Sequence, residues 1–249
     1  MFTGSESQTS SGIILIIIAR LKEMAKDFNN PVVVEGYDAH IRKLIPGYEL
    51  IHLQVHAVLK SYVSTQAKIL VVGCGTGYEL QYLAEQFPHW NFTAIDPAAN
   101  MIDKAKQHIA DLGLCSRIQF VQGDTSVLKQ VDENFDVALA ILVSHFVAVD
   151  AKAQFLKDIA NHLSSTGLCL SYELMEISNT KQLQALKNLS LATGLTEKQA
   201  QLMTDRIEQD FALISVDEMS ALYLQAGFKR VESFAQVLNY HGFIAFKTD

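Results

Sequence analysis

The stretch Lys68-Ile69-Leu70-Val71-Val72-Gly73-Cys74-Gly75-Thr76-Gly77-Tyr78-Glu79 restricts what this chain can fold into more than any other. Four consecutive apolar residues suit a strand buried on both faces, as in a parallel sheet with helices above and below. Three glycines at alternate positions then offer backbone conformations closed to most residues, and a helical pattern follows. Such a strand–turn–helix either lets a ligand approach the backbone or is an ordinary tight connection. A dinucleotide fingerprint would place Gly or Ala where Tyr78 stands, so the turn has less to offer a pyrophosphate.

Downstream, short apolar segments at 92–95, 118–121, 137–142 and 168–172 alternate with helical patterns near 77–87, 99–112 and 151–163. Strands alternating with helices predict an α/β fold around a parallel sheet. Two strand-like runs, 228–235 and 237–246, follow each other almost directly and predict an antiparallel hairpin at a sheet edge. Ahead of the first strand, residues 37–63 read as two helices meeting at Ile45-Pro46-Gly47. The second carries the apolar stripe Ile51, Val55, Val58, Leu59, Tyr62, and His52 and His56 read as its boundary rather than as metal ligands. Residues 178–222 read as a helical insertion. The chain is therefore divided into a start with an apolar helix, 1–36, and one domain, 37–249.

With 49% apolar residues in 249, most of the chain can offset the entropy lost on folding, which excludes a disordered protein. A formal charge of −7 argues against a broad phosphate-binding surface. Cys74, Cys115 and Cys169 supply neither a disulfide framework nor a metal-ligand spacing, so no metal site and a reducing cytoplasm are expected. The run from Ile13 to Ala19 has seven residues, against about 20 needed to cross a bilayer, and no positive charge precedes it. Asn29-Asn30-Pro31 ends the helix read over 13–28, a buried or interface helix through which a homodimer would form, with no membrane association expected.

The second strand ends in Asp96, twenty-one residues beyond Gly75, where a carboxylate can accept hydrogen bonds from both ribose hydroxyls. The third ends in Gln122-Gly123-Asp124-Thr125, a second acid where an adenine amino group could be met. Together these suit a nucleoside without a pyrophosphate.

The segments VVGCGTGYEL, AIDPAANMI and VQGDTS, in this order and spacing, resemble the first three motifs of class I S-adenosylmethionine-dependent methyltransferases. The resemblance covers about residues 37–247. It implies an α/β, Rossmann-like, seven-stranded and mostly parallel sheet of order 3-2-1-4-5-7-6, its last strand antiparallel and helices on both faces. It implies S-adenosyl-L-methionine as cofactor and S-adenosyl-L-homocysteine as product. Gly73, Cys74, Gly75 and Gly77 would then hold the methionine part and Asp96 the ribose. Pro97 with Ala98 to Met101 would flank the adenine, and Asp124 and Thr125 would meet its edge.

YDAHIRKLIPGYELIH, and the tail that begins GLTEKQAQLMTDRIEQD, are similar to a subgroup of that family. It contains the carboxy-S-adenosylmethionine synthases and methyltransferase relatives linked to tRNA wobble-uridine modification. There, the tyrosine matching Tyr48 contacts the cofactor. Two positions depart: Thr204 stands where the synthases carry an arginine, with Arg206 nearby but unmatched, and Ile141 replaces their asparagine. These departures favour methyl transfer to a small-molecule acceptor by in-line displacement. A tRNA-modifying enzyme, carboxylated-cofactor synthesis and a non-catalytic cofactor-binding interaction protein are the alternatives.

Methyl transfer from a sulfonium asks mainly for positioning and a water-poor site; a base is needed only where the acceptor loses a proton. His145, just past the fourth strand, is a candidate base, or else a histidine bonded to a backbone carbonyl. Glu173, at the end of the fifth strand, is a candidate to bind or deprotonate the acceptor, or else a solvated strand-end carboxylate. Tyr37 and His40 ahead of the fold, and Tyr240 with His241 in the last hairpin, are further candidates. Lys181 to Lys187 read as a solvated helix face rather than a tRNA patch.

Overall fold

Leu70 and Val72 of the first strand point into one hydrophobic cluster, Ile69 and Val71 into another, and all four are buried. This is the two-faced burial that the unbroken apolar run requires. The computed structural model describes residue 28 and residues 30–249. The start over 1–12, the apolar run from Ile13 to Ala19 and the dimer contact assigned to it lie outside the described residues.

The strands are β1 (Lys68–Val72), β2 (Asn91–Asp96), β3 (Ile118–Gln122), β4 (Phe135–Ile141), β5 (Leu163–Leu174), β6 (Arg230–Val237) and β7 (Tyr240–Phe246). They form one sheet in the order β3-β2-β1-β4-β5-β7-β6. β7 runs antiparallel to both its neighbours, and the other pairings are parallel. Strand order reverses between β1 and β4, which opens a crevice at their carboxyl ends.

One face is covered by α2 (Tyr48–Tyr62), α3 (Tyr78–Gln86) and α4 (Ala99–Asp111), through Ile51, Val55, Leu59, Leu80, Leu83, Ile102 and Ile109. The other is covered by α5 (Lys152–Asn161) and α8 (Val216–Ala226), through Phe155, Leu156, Ile159, Met219 and Tyr223. Each such fully buried side chain contributes roughly 1.5–3 kcal/mol relative to exposure. α8, inside the stretch read as an insertion, thus belongs to the sheet's own cover. Its start is a capping box, Ser215 accepting from the Glu218 amide while the Glu218 carboxylate accepts from the Ser215 amide.

The roof is made of α1 (Pro31–Leu44), α6 (Thr180–Ala192) and α7 (Glu197–Asp210). The sequence reading begins this roof at residue 37, whereas α1 begins at Pro31. Proline at a first helical position loses no hydrogen bond and arrives with its φ already helical. A second capping box, Thr196 with Gln199, opens α7. Thr193, at the end of α6, donates its hydroxyl to the Lys43 carbonyl at 3.0 Å, tying the insertion to α1. Among the described residues no helix is long and apolar enough to cross a membrane.

Candidate active site

The glycine turn after β1 is sewn to β2: the amides of Gly73 and Cys74 both donate to the Ile95 carbonyl, at 2.8 and 3.1 Å. Gly73 has φ 71, and a Cβ there would lie 2.5 Å from Val143 Cγ2, so no other residue fits. Gly75 has φ 53, and a Cβ there would meet only Tyr37 Cε1 at 4.0 Å, inside a cavity. Gly77 is not among the residues lining this cavity; its φ of 88 and its closeness to Ala105 make it the packing point of α3 on α4.

Asp96 closes the turn. Its two carboxylate oxygens accept from the amides of Gly75 and Ala98, both at 2.9 Å. Burial pushes its carboxyl above the usual range, and these two amides oppose that shift. Each oxygen keeps a second lone pair for a ligand hydroxyl.

Around this point lies a cavity of about 260 Å³ walled by Gly73, Gly75, Asp96, Pro97, Met101, Asp124 and Thr125, among others. Asp124 is exposed, one oxygen accepting from the amide and hydroxyl of Ser126, which hold its carboxyl below the usual range. Thr125 is buried and donates its hydroxyl to Asp158 at 3.2 Å, so that hydroxyl is committed to α5 rather than to the cavity. A small polar recess joins the turn on its other side, lined by Tyr48, His52, Cys74, Thr76 and Glu79. His52 Nδ1 donates to the Tyr48 carbonyl at 2.8 Å, and its Nε2 lies 3.8 Å from the Glu79 carboxyl. Burial raises that carboxyl to about 8. Burial also drives the Cys74 thiol and the Tyr48 hydroxyl far up, leaving both protonated.

Tyr37 faces both spaces from α1. Burial first, then Asp96 and Asp38, push its hydroxyl well above the ordinary phenol range. It can donate a hydrogen bond but cannot serve as a base near neutral pH.

Beside the first cavity lies another of about 450 Å³, under α1 and α7. Phe28, Tyr37, Leu142 and Phe146 belong to both. His145 and Arg206 line the second one, with Phe211 and Tyr240. The His145 ring packs on Phe146 and Phe211 at 4.4 and 5.0 Å between centroids.

His145 and Glu173 both depart from their bland sequence alternatives. His145 does not bond a backbone carbonyl through its ring: Nδ1 sits 2.8 Å from Glu173 Oε2. Glu173 is not a solvated strand end, being 0% exposed. Its Oε1 accepts from the amides of Ser144 and Val143, at 2.8 and 3.3 Å. Lys152, 1% exposed, donates its ammonium to the Ser144 carbonyl behind the same loop. The loop enters through Leu142 at φ 62, a conformation that costs a non-glycine residue of order 1 kcal/mol. Nothing local in the sequence marks Lys152, Arg206, Phe28 or Phe211 as a site residue. His241, next to Tyr240 on β7, instead lines a separate depression with Gln236, Leu238 and Asn239 at the hairpin turn. Lys187 pairs with Gln201 and Glu197. Among the described residues no group of three His, Cys, Asp or Glu could hold a metal.

The glycine turn, Asp96 at the next strand end and the acid after the third line one cavity at the switch point of a seven-stranded sheet. Residues 69–167 match the family described as "Methyltransferase domain". The fold, the motifs and this match support a class I S-adenosylmethionine-dependent methyltransferase.

Among its relatives is a carboxy-S-adenosyl-L-methionine synthase of Campylobacter curvus, 25% identical over 86% of this chain and 92% of the relative. Among solved structures, an O-methyltransferase family protein from Burkholderia thailandensis superposes with a TM-score of 0.65 at 14% identity. It covers 90% of this chain and 61% of its own. An O-methyltransferase from neocarzinostatin biosynthesis, solved with S-adenosyl-L-homocysteine and 1,4-dihydroxy-2-naphthoic acid, gives 0.58 at 19% identity. It covers 87% of this chain and 58% of its own, so this chain spans about 60% of the length of these two enzymes.

Proposed function

We propose that this enzyme methylates a hydroxyl group of a small molecule held in the 450 Å³ cavity. One observation carries this reading: His145, oriented by the buried Glu173, stands on the wall of that cavity beside the cofactor site. With Nδ1–H donated to the carboxylate, Nε2 keeps its lone pair and can take the proton that a hydroxyl loses on attack. The amides of Val143 and Ser144, bonded to the same carboxylate, hold the loop that presents the ring.

The first cavity fits S-adenosyl-L-methionine, whose sulfonium supplies the methyl group when bound. Asp96 would hold the ribose, Pro97 and Met101 the adenine face, and Asp124 its edge. The recess of Tyr48, His52 and Glu79 suits the polar tail of an amino acid. Gly73 and Gly75 would allow close approach, and the rings of Tyr37, Phe28 and Phe146 would exclude water. Tyr37 and Glu173 thus act as positioning groups, and the base is His145.

The name of the Campylobacter relative favours a second reading, synthesis of a carboxylated cofactor. Against it, Thr204 spends its hydroxyl on the Gln201 carbonyl at 2.8 Å and Ile141 is apolar. The small-acceptor reading is tested with radiolabelled cofactor and a panel of phenols and aliphatic alcohols. Transfer to oxygen, lost in His145→Ala, is the expected result. Transfer only to tRNA, or no binding of S-adenosyl-L-homocysteine by calorimetry, overturns it. The reading includes a homodimer in the cytoplasm; light scattering that gives a monomer mass at micromolar concentration removes the first.

A further inference from the structure

The charges around the 450 Å³ cavity are matched within the protein itself. Arg206, on α7, lines the space, but its Nε lies 3.7 Å from a carboxylate oxygen of Asp210, one turn along the same helix. That cation already has its anion. His40 also lines it, and burial first, then Arg206 and Lys43, lower its basicity, so its ring is neutral at and above neutral pH. Burial likewise keeps the phenols of Tyr37 and Tyr240 protonated. Among the described residues no carboxylate lines the cavity. Glu173 stands behind the His145 ring, engaged by it and by the amides of Val143 and Ser144. A charged group brought into this space would lose its water and find no partner of opposite charge, a heavily unfavourable burial.

The rings around the cavity form a connected series. Phe28 meets Tyr37 and Phe146 edge-on, at 6.2 and 5.5 Å between centroids. Phe146 in turn meets Phe211 edge-on at 5.2 Å, and the His145 ring ends the series 5.0 Å from Phe211. All five rings line the cavity. Ile41 and Leu44 on α1, with Met203 and Ile207 on α7, add wall that offers no side-chain hydrogen bond. A flat aromatic ring entering such a series gains edge-to-face or offset contacts beyond the area it buries. A saturated ring of the same size gains the burial alone.

From these observations we infer that the acceptor is an uncharged, flat aromatic hydroxyl compound, its ring set among Phe28, Phe146 and Phe211 and its hydroxyl at His145. This rests on the O-methylation reading and adds the chemical class of the substrate to it.

Charge and flatness are tested separately, by calorimetry on the full chain saturated with S-adenosyl-L-homocysteine. The first pair is 6-hydroxy-2-naphthamide and 6-hydroxy-2-naphthoate near neutral pH, two ligands of one shape that differ by a charge. The second pair is 2-naphthol and decahydro-2-naphthol, which keeps the hydroxyl and loses the aromatic rings. The amide is expected to bind about tenfold or more tightly than the carboxylate. The naphthol is expected to bind about three- to tenfold more tightly than its saturated counterpart. Phe211→Leu keeps an apolar side chain and should bring this second ratio toward one. A carboxylate that binds as tightly as the amide, or a saturated alcohol that matches the naphthol, overturns the inference. So does a second ratio unmoved by Phe211→Leu, or no binding of the amide and the naphthol. Methyl transfer is measured in parallel: selective binding with no transfer keeps the class of ligand and rejects O-methylation. Transfer only to the charged or the saturated alcohol keeps O-methylation and rejects the class. Should Phe211→Leu not fold, the two wild-type ratios decide.

Discussion

Asp38, on α1, accepts a hydrogen bond from the hydroxyl of Thr76 in the glycine turn. It joins the roof to the cofactor loop. Asp38→Ala is expected to weaken S-adenosyl-L-homocysteine binding roughly tenfold, the size of one hydrogen bond to a charged group. Thr76→Val should do the same, and the double variant should add little more. Calorimetry on the four proteins reads this directly, and fully additive losses would show that the two residues act separately.

The Glu173 carboxylate holds the amides of Val143 and Ser144 as well as the His145 ring. Glu173→Gln keeps its size and loses part of its accepting capacity. A stability loss of about 1–3 kcal/mol in chemical denaturation is expected, together with a lower kcat. His145→Ala should instead leave S-adenosyl-L-homocysteine binding near wild type while kcat falls roughly 10²–10⁴-fold. An unchanged kcat with a hydroxyl acceptor would remove His145 from the reaction.

Gly73 and Gly113 both have φ 71, yet their surroundings differ. A Cβ at Gly113 meets nothing within 4 Å, whereas at Gly73 it would overlap Val143. Gly113→Ala should therefore cost only the backbone term, about 1–2 kcal/mol. Gly73→Ala should cost more and abolish cofactor binding, because Val143 opens the loop that carries His145. Equal destabilisation of the two would contradict the packing argument.

Glu79 gives the fold a pH dependence of unusual sign. Burial raises its carboxyl from 4.5 to about 8, so the folded state holds the proton more tightly than the unfolded chain. That contribution is complete below pH 4.5 and is lost as pH rises toward 8. Burial lowers the basicity of His52, so its contribution has the opposite slope and grows as pH rises through its ordinary value of 6.5. Glu79→Gln, neutral at every pH, should lose the decline in melting temperature that this carboxyl is expected to give the wild type between pH 4.5 and about 8. Parallel curves for the two proteins would place the Glu79 proton elsewhere.

The readable parts of this protein were those where the backbone dictates the residue. Gly73 and Gly75 need positive φ, Asp96 must sit at a strand end to reach two amides, and Ile69 to Val72 must be apolar on both faces. Each of these leaves a fixed spacing. The acceptor cavity has none. Phe28, Leu44, His145 and Arg206 meet there from three separated segments, and any of them alone looks like an ordinary boundary residue. The sequence marks Pro31 only as a stop, because a proline that ends one helix and a proline that begins the next occupy the same kind of sequence. Lys152 was invisible for another reason: a lysine on an amphipathic helix is normally solvated, and only the closed loop over β4 and β5 buries this one.

Phe28, Tyr37, Leu142 and Phe146 each present a surface to both cavities. A molecule seated in either one is therefore part of the container for the other. On the proposed function occupancy becomes a shared property: any factor by which bound cofactor changes the affinity for the acceptor is the factor by which the acceptor changes the affinity for the cofactor. Product release would inherit the same coupling in reverse, each product's departure changing the hold on the other.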